Sequence, residues 1–313
     1  MNEPFFIDST LQDYLSIWDV EKISRIANLS VPESVLGRQK TLLRADVNIQ
    51  WARWFVESLA DPLGYLKYDF SYPTLFSDVL TAVNEKFNQY TKNEKVKIAS
   101  SVARILQSQI NRMKSSLKRQ QISRKDKDLL LELAGNPPRC WICGAIFSNE
   151  AVDNYLYRKS TSIRMPKFID IFFPRGLNQR DLTIEIDHIV AHSLGGSSED
   201  NLALACGWCN RNKNNYLSIY DTNGQPKKAV ANSIGVRTLP HPFWSIRLLS
   251  TVRICEFLDG CASATSNSNL TITSINQNGS MNPTNIRVTC YEHDNLQVIR
   301  LQPPNIVRHV WGM

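Results

Sequence analysis

Ile186-Asp-His-Ile-Val-Ala-His-Ser-Leu-Gly-Gly196, then Glu199-Asp-Asn-Leu202, then Cys206-Gly-Trp-Cys209-Asn-Arg-Asn-Lys213: on this stretch the reading of the 313-residue chain turns. Upstream, Cys140-Trp-Ile-Cys143 supplies a second Cys-x-x-Cys pair. Such a turn presents two sulfurs to one ion, and zinc takes four tetrahedral ligands. Cys140, Cys143, Cys206 and Cys209 are therefore expected to hold one structural Zn²⁺ with no position left open for catalysis. Cys255, Cys261 and Cys290 show no such spacing and read as core thiols, and His241, His293 and His309 match no motif and read as structural.

Local pattern places these residues on elements. Residues 182–190 alternate and are rich in Ile and Val, the mark of a strand; Gly195-Gly196 is a turn, and residues 202–205 suit a short return strand. A helix is expected from about Cys206 to Ile219. On it Cys206, Cys209 and Asn210 stand at i, i+3 and i+4, so zinc would pin the turn that presents Asn210. Glu185 lies two residues before Asp187, on the same side of the strand, where it could support the metal, though an exposed carboxylate is the better reading.

The order Asp-His-Ile-x-x-x-Ser-x-Gly-Gly, Asn-Leu, Cys-x-x-Cys-Asn-x-x-Lys resembles the HNH endonucleases, members of the ββα-metal (His-Me finger) group. The resemblance implies a role for each matching position. His188 resembles the general base that takes a proton from water, and an imidazole suits that work because it titrates near neutrality. Asp187 resembles a ligand of the catalytic divalent ion, and Asn210 the residue that completes that site. Hard oxygen donors of this kind favour Mg²⁺ or Mn²⁺. Asn201 resembles the central Asn that ties the loop and orients the base. His192 falls where the family varies, with ligand, supporting and surface roles all open. Arg211 and Lys213 are candidate phosphate contacts. The implied products carry 5′-phosphate and 3′-hydroxyl ends.

Outward from this module the chain is mostly helical on one side and mixed on the other. Leu11–Leu29 and Leu42–Leu59 have helical spacing, with Trp51, Trp54 and Phe55 expected on a buried stripe. From Val96, Ile98, Val102, Ile105, Leu106, Met113 and Leu117 recur at three- and four-residue steps. Residues 92–133 hold 11 Lys/Arg against 4 Asp/Glu, while residues 1–91 hold 8 against 12. The net charge of +7 is thus concentrated just before the module, and Lys114, Lys118 and Arg119 are candidate nucleic-acid contacts. Gly135-Asn-Pro-Pro138 ends the helical region. Residues 145–181 carry no clear pattern. Beyond the module, a helix is expected over 243–258, then a Ser/Asn/Gly-rich stretch, then a β-hairpin of 286–291 and 296–301.

The expected fold is α+β: a helical domain (1–95), a basic amphipathic helical segment (96–133), a ββα-metal zinc module (134–217) and a small mixed C-terminal domain (218–313). No apolar run reaches the roughly 18 residues of a membrane span, and the first residues lack a signal peptide's basic start, so the cytosol is the expected compartment. DNA is the expected partner, with RNA still open, and the flanking regions are expected docking surfaces for a protein partner or a second copy. Three functions fit: a metal-dependent DNA endonuclease, by analogy a bacterial defence or restriction effector; a zinc-stabilised binding module without cleavage; and a nuclease subunit active only in a complex.

Overall fold

A computed structural model describes residues 2–11, 18–67, 69–116, 122–189, 201–231, 235–257 and 260–312. Lys118, Arg119 and His192 lie outside the described residues. The helices are α1 (Glu3–Leu11), α2 (Val20–Ala27), α3 (Glu33–Leu36), α4 (Lys40–Leu59), α5 (Tyr72–Lys86), α6 (Lys92–Ser116), α7 (Arg124–Leu133), α8 (Asn149–Tyr157), α9 (Gln179–Leu182), α10 (Gly207–Lys213), α11 (Pro242–Val252), α12 (Gln297–Arg300) and α13 (Pro304–Trp311). The strands are β1 (Ile169–Asp170), β2 (Ile184–His188), β3 (Leu202–Cys206), β4 (Lys227–Ala231), β5 (Gly235–Leu239), β6 (Leu270–Ser274), β7 (Ile286–Cys290) and β8 (Leu301–Gln302). They pair antiparallel as β1–β8, β2–β3, β4–β5 and β6–β7. The fold is α+β.

Among the described residues two hydrophobic cores form. In the smaller one the α6 stripe of Ala99, Val102, Ala103, Leu106 and Ile110 packs on Leu75, Val79 and Val83 of α5. Both helices start where the sequence caps them: Ser71 accepts a hydrogen bond from the Thr74 N–H, and Glu94 accepts one from the Thr91 N–H. The larger core runs from Leu130 through the cysteine module to Val310, and Leu43 of α4 joins it.

Helix α4 keeps only part of the expected stripe: Phe55 is half-buried against the smaller core, and the two tryptophans are not. Trp51 and Trp54 are 61% and 59% exposed, while Leu43, Asp46 and Gln50 are buried. The polar residues turn inward because partners wait there. Arg247 of α11 donates to Asp46 through Nη2 at 2.6 Å, and the Ile219 N–H donates to it at 2.8 Å. Buried carboxylates require such pairing, and the pairing fastens α4 to the turn that follows α10.

Three further expectations are corrected. Helix α10 stops at Lys213, not Ile219, because Asn214 takes a left-handed φ of 49°. Helix α11 stops at Val252, because Arg253 takes a φ of 59°. Residues 286–291 and 296–301 do not form a hairpin. Strand β7 pairs instead with β6, drawn from the Ser/Asn-rich stretch, whose five residues are all buried. The second half curls because Arg300, fully buried, is pulled inward by Asp170 and Asp294 at 2.7 and 2.5 Å.

Candidate active site and metal centre

Strands β2 and β3 pair from Ile184 opposite Cys206 to His188 opposite Leu202, and α10 leaves directly from the end of β3. Strand, strand and helix make a finger, and the four expected cysteines close its base. Their sulfurs lie within 4.8 Å of one another and all four residues are buried. The Cys206 N–H donates to Cys140 Sγ at 3.3 Å, and the Trp141 N–H donates to the Leu204 carbonyl at 3.0 Å. The upstream knuckle is thus sewn to β3, across the segment of 145–181 that sequence left unassigned.

That segment returns the chain by way of α8, β1 and α9. Gly207 allows the last approach: a Cβ there would stand 2.0 Å from the Arg180 carbonyl oxygen. On the other side Gly144, at φ 72°, lies where a Cβ would meet the Ser268 carbonyl at 2.0 Å. Neither position tolerates a side chain.

The donor set fits zinc, and the surroundings agree. Arg175 is half-buried beside the four sulfurs, and its buried Nε has no hydrogen-bond partner among the described residues. Burial opposes its charge, but the thiolates of Cys206, Cys143, Cys140 and Cys209 more than offset this and hold the guanidinium charged. A tetrathiolate zinc centre carries a net double negative charge, and a cation beside it balances part of that.

The seam between β2 and α10 is polar. Asn210 Nδ2 donates to Glu185 at 2.8 Å, and Arg180 Nε donates to the other oxygen of Glu185 at 2.8 Å. Glu185 is therefore a partnered, half-buried group, not the exposed carboxylate expected. One turn along α10, Lys213 Nζ donates to Asp187 Oδ1 at 2.8 Å and to the His188 carbonyl, while the Trp141 indole donates to Asp187 Oδ2 at 3.0 Å. Burial pushes the Asp187 carboxyl up, against the pull of Lys213, Trp141 and His188. Lys213 is itself buried, so its ammonium faces the finger's interior and not solvent.

His188 ends β2 half-buried, and Asn201 stands beside it, its carbonyl accepting the Ile189 N–H at 2.8 Å. Arg211 is paired with the buried Asp181 at 2.5 Å. Farther away, Lys114 lies over the Phe70 ring at 5.0 Å. Sequence reasoning placed Glu185 on the site's side of β2 but missed Trp141 and Arg175, for which no local pattern gave a signal.

The pieces define a class: a ββα finger stapled by a four-cysteine zinc-type site, with an imidazole at the strand end and hard oxygens in the strand–helix seam. Residues 177–216 match the HNH endonuclease family model, a match to this segment of the chain, and it points to a nuclease-type module of the kind that engages nucleic acid. No curated protein and no solved structure matches the chain.

Proposed function

We propose that the chain is a metal-dependent endonuclease that hydrolyses phosphodiester bonds in DNA. The observation that supports this most is the placing of His188 at the end of β2, next to Asn201, on a finger whose base is held by four cysteines. His188 accepts a proton from the attacking water as the water oxygen bonds to phosphorus and the bond to the leaving oxygen breaks. Asn201 braces the end of β2, its carbonyl accepting the Ile189 N–H next to the base. Asp187 and Asn210 offer oxygens of the hard type that suits Mg²⁺ or Mn²⁺, and since Lys213 and Trp141 occupy the two Asp187 oxygens here, an ion held by Asp187 would replace one of those bonds. Such an ion, when bound, offsets the charge that develops on the phosphate oxygens.

Lys213 orients Asp187 and favours its ionised form against the burial that pushes its pKa up. Arg211, Arg180 and the basic residues exposed on α6 are the surfaces we assign to the phosphate backbone, a salt-dependent contact. An arsenal of free thiols with no disulfide among the described cysteines suits a reducing compartment, and no described helix is long and apolar enough to cross a membrane. An endonuclease module carried between two larger regions suits recognition of foreign DNA, as in defence or restriction.

Incubation of duplex DNA with the purified chain tests the reading. Cleavage with Mg²⁺ or Mn²⁺ that EDTA stops is the expected result. Salt-dependent binding with no products under any metal would instead support a binding module, and products that appear only on adding a partner protein would support a subunit.

A further inference from the structure

The three cysteines that looked like core thiols converge. Cys255 Sγ lies 3.6 Å from His293 Nδ1, Cys290 Sγ lies 3.3 Å from the same nitrogen, and Cys261 Sγ lies 3.9 Å from Cys290 Sγ. All four ligand atoms fall within 4.8 Å of one another. A tetrahedral zinc with the usual bond lengths separates its ligands by about 3.8 Å (sulfur to sulfur) and about 3.5 Å (sulfur to nitrogen). The three separations above match those edges, and the rest stay within 4.8 Å. They are too long for a disulfide, whose sulfurs stand about 2 Å apart.

The surrounding chain is arranged to present these atoms. Cys290 ends β7, and the single turn Tyr291–His293 brings His293 back beside it, so a Cys-x-x-His knuckle forms where a hairpin turn was expected. The imidazole is fixed flat against Phe257, with ring centroids 4.0 Å apart and planes 2° from parallel. That stacking aims Nδ1 at the sulfurs. Cys255 is set by the left-handed Arg253 that ends α11 and by its own N–H bond to the Ser263 carbonyl at 2.8 Å. Cys261 lies on the intervening loop, partly exposed.

We propose that Cys255, Cys261, Cys290 and His293 form a second zinc site, structural in character. Three thiolates and one imidazole complete a tetrahedron and leave no open position. The site staples the loop after α11 to the end of β7. That loop also reaches the first knuckle: Thr265 and Ser268 pack on Gly144, and the Leu270 N–H donates to the Cys143 carbonyl at 2.9 Å. The two metals therefore brace opposite ends of one segment, residues 253–270, and the second steadies the first from behind. The inference stands apart from catalysis, since it holds whether or not the finger cuts DNA.

Zinc per chain, measured on the purified full-length protein by native mass spectrometry and elemental analysis, tests it. Wild type is expected to carry two equivalents, Cys209→Ser to lose one, and the Cys261→Ser/His293→Ala double variant to lose the other while keeping the first. Zinc content unchanged in the double variant would overturn the proposal. So would a wild-type mass lower by two hydrogens with a single zinc, the signature of a disulfide among these cysteines. Should the double variant not fold, wild type decides: two equivalents support the site, and one or none contradicts it. Cobalt substitution gives an independent readout, because a three-sulfur, one-nitrogen site and a four-sulfur site absorb differently. Two overlapping cobalt spectra are expected, and a four-sulfur spectrum alone would contradict the assignment.

Discussion

At the scale of single residues, the finger's chemistry is held by a few buried contacts whose removal should be costly. Lys213 and Asp187 form an ion pair with both side chains almost out of solvent. Breaking such a pair from one side strands a charge and costs on the order of 3 kcal/mol. Lys213→Met is accordingly expected to lower unfolding stability by about that amount, whereas exposed Lys97→Met is expected to change it little. Urea denaturation of the two variants checks this, and equal midpoints would count against the pairing. Much at this scale was legible beforehand. Two Cys-x-x-Cys pairs announce themselves by spacing, as does His188 by its neighbours. Illegible were the contacts that depend on register across elements: Lys213 faces Asp187 because β2 and α10 lie side by side, and Asn210 faces Glu185 for the same reason. A Cys-x-x-His pair such as Cys290 and His293 was in plain view, but its partners Cys255 and Cys261 come from a segment some thirty residues earlier in the chain, brought near only by folding.

At the scale of elements, helix ends decide where the functional groups fall. Asn214 and Arg253 stop α10 and α11 with left-handed residues that carry no sequence signal as strong as glycine, which is why both helices were read too long. The start of α11 carries a testable device. His241 Nδ1 accepts the Phe243 N–H at 3.2 Å, capping the helix, and burial holds this imidazole's pKa below its ordinary 6.5. A depressed pKa means that the unfolded chain takes up the proton first. The stabilisation is therefore present above the ordinary value and is lost as pH falls below it toward the folded pKa. Thermal stability is expected to fall as pH drops below His241's ordinary value of 6.5, and His241→Asn, which caps without titrating, is expected to flatten that limb. An unchanged slope would show that other groups set it. Helix α4 is the element-scale lesson in the other direction. Trp51 and Trp54 advertised a buried stripe, yet Asp46 is buried in their place because Arg247, about two hundred residues later, supplies its counter-charge.

At the scale of the whole molecule, two cores with different origins predict two steps of unfolding. The α5–α6 core contains no cysteine of either metal group, while the larger core contains both. Stripping zinc with a strong chelator under mild denaturant is expected to abolish the tertiary signal of the larger core and to leave α5 and α6 helical. Circular dichroism in the near and far ultraviolet distinguishes this from a single concerted loss, which would contradict the separation. Fold class and the helical start of the chain could be read from periodicity, and the finger from its motif. The C-terminal region could not, because its order rests on Arg300 drawing Asp170, Asp294 and Thr271 together from three separate segments, a convergence with no local trace. The same long-range ties bind β1 and the β6–β7 pair around the finger's base.

The most direct test of the central claim compares wild type with His188→Ala on duplex DNA in Mg²⁺ or Mn²⁺, with zinc content measured on both. The account predicts that the variant keeps wild-type zinc and DNA binding and loses at least a hundredfold in cleavage rate, the ordinary contribution of a general base being about 10²–10⁴-fold. Undiminished cleavage by a folded, zinc-loaded His188→Ala protein would contradict it.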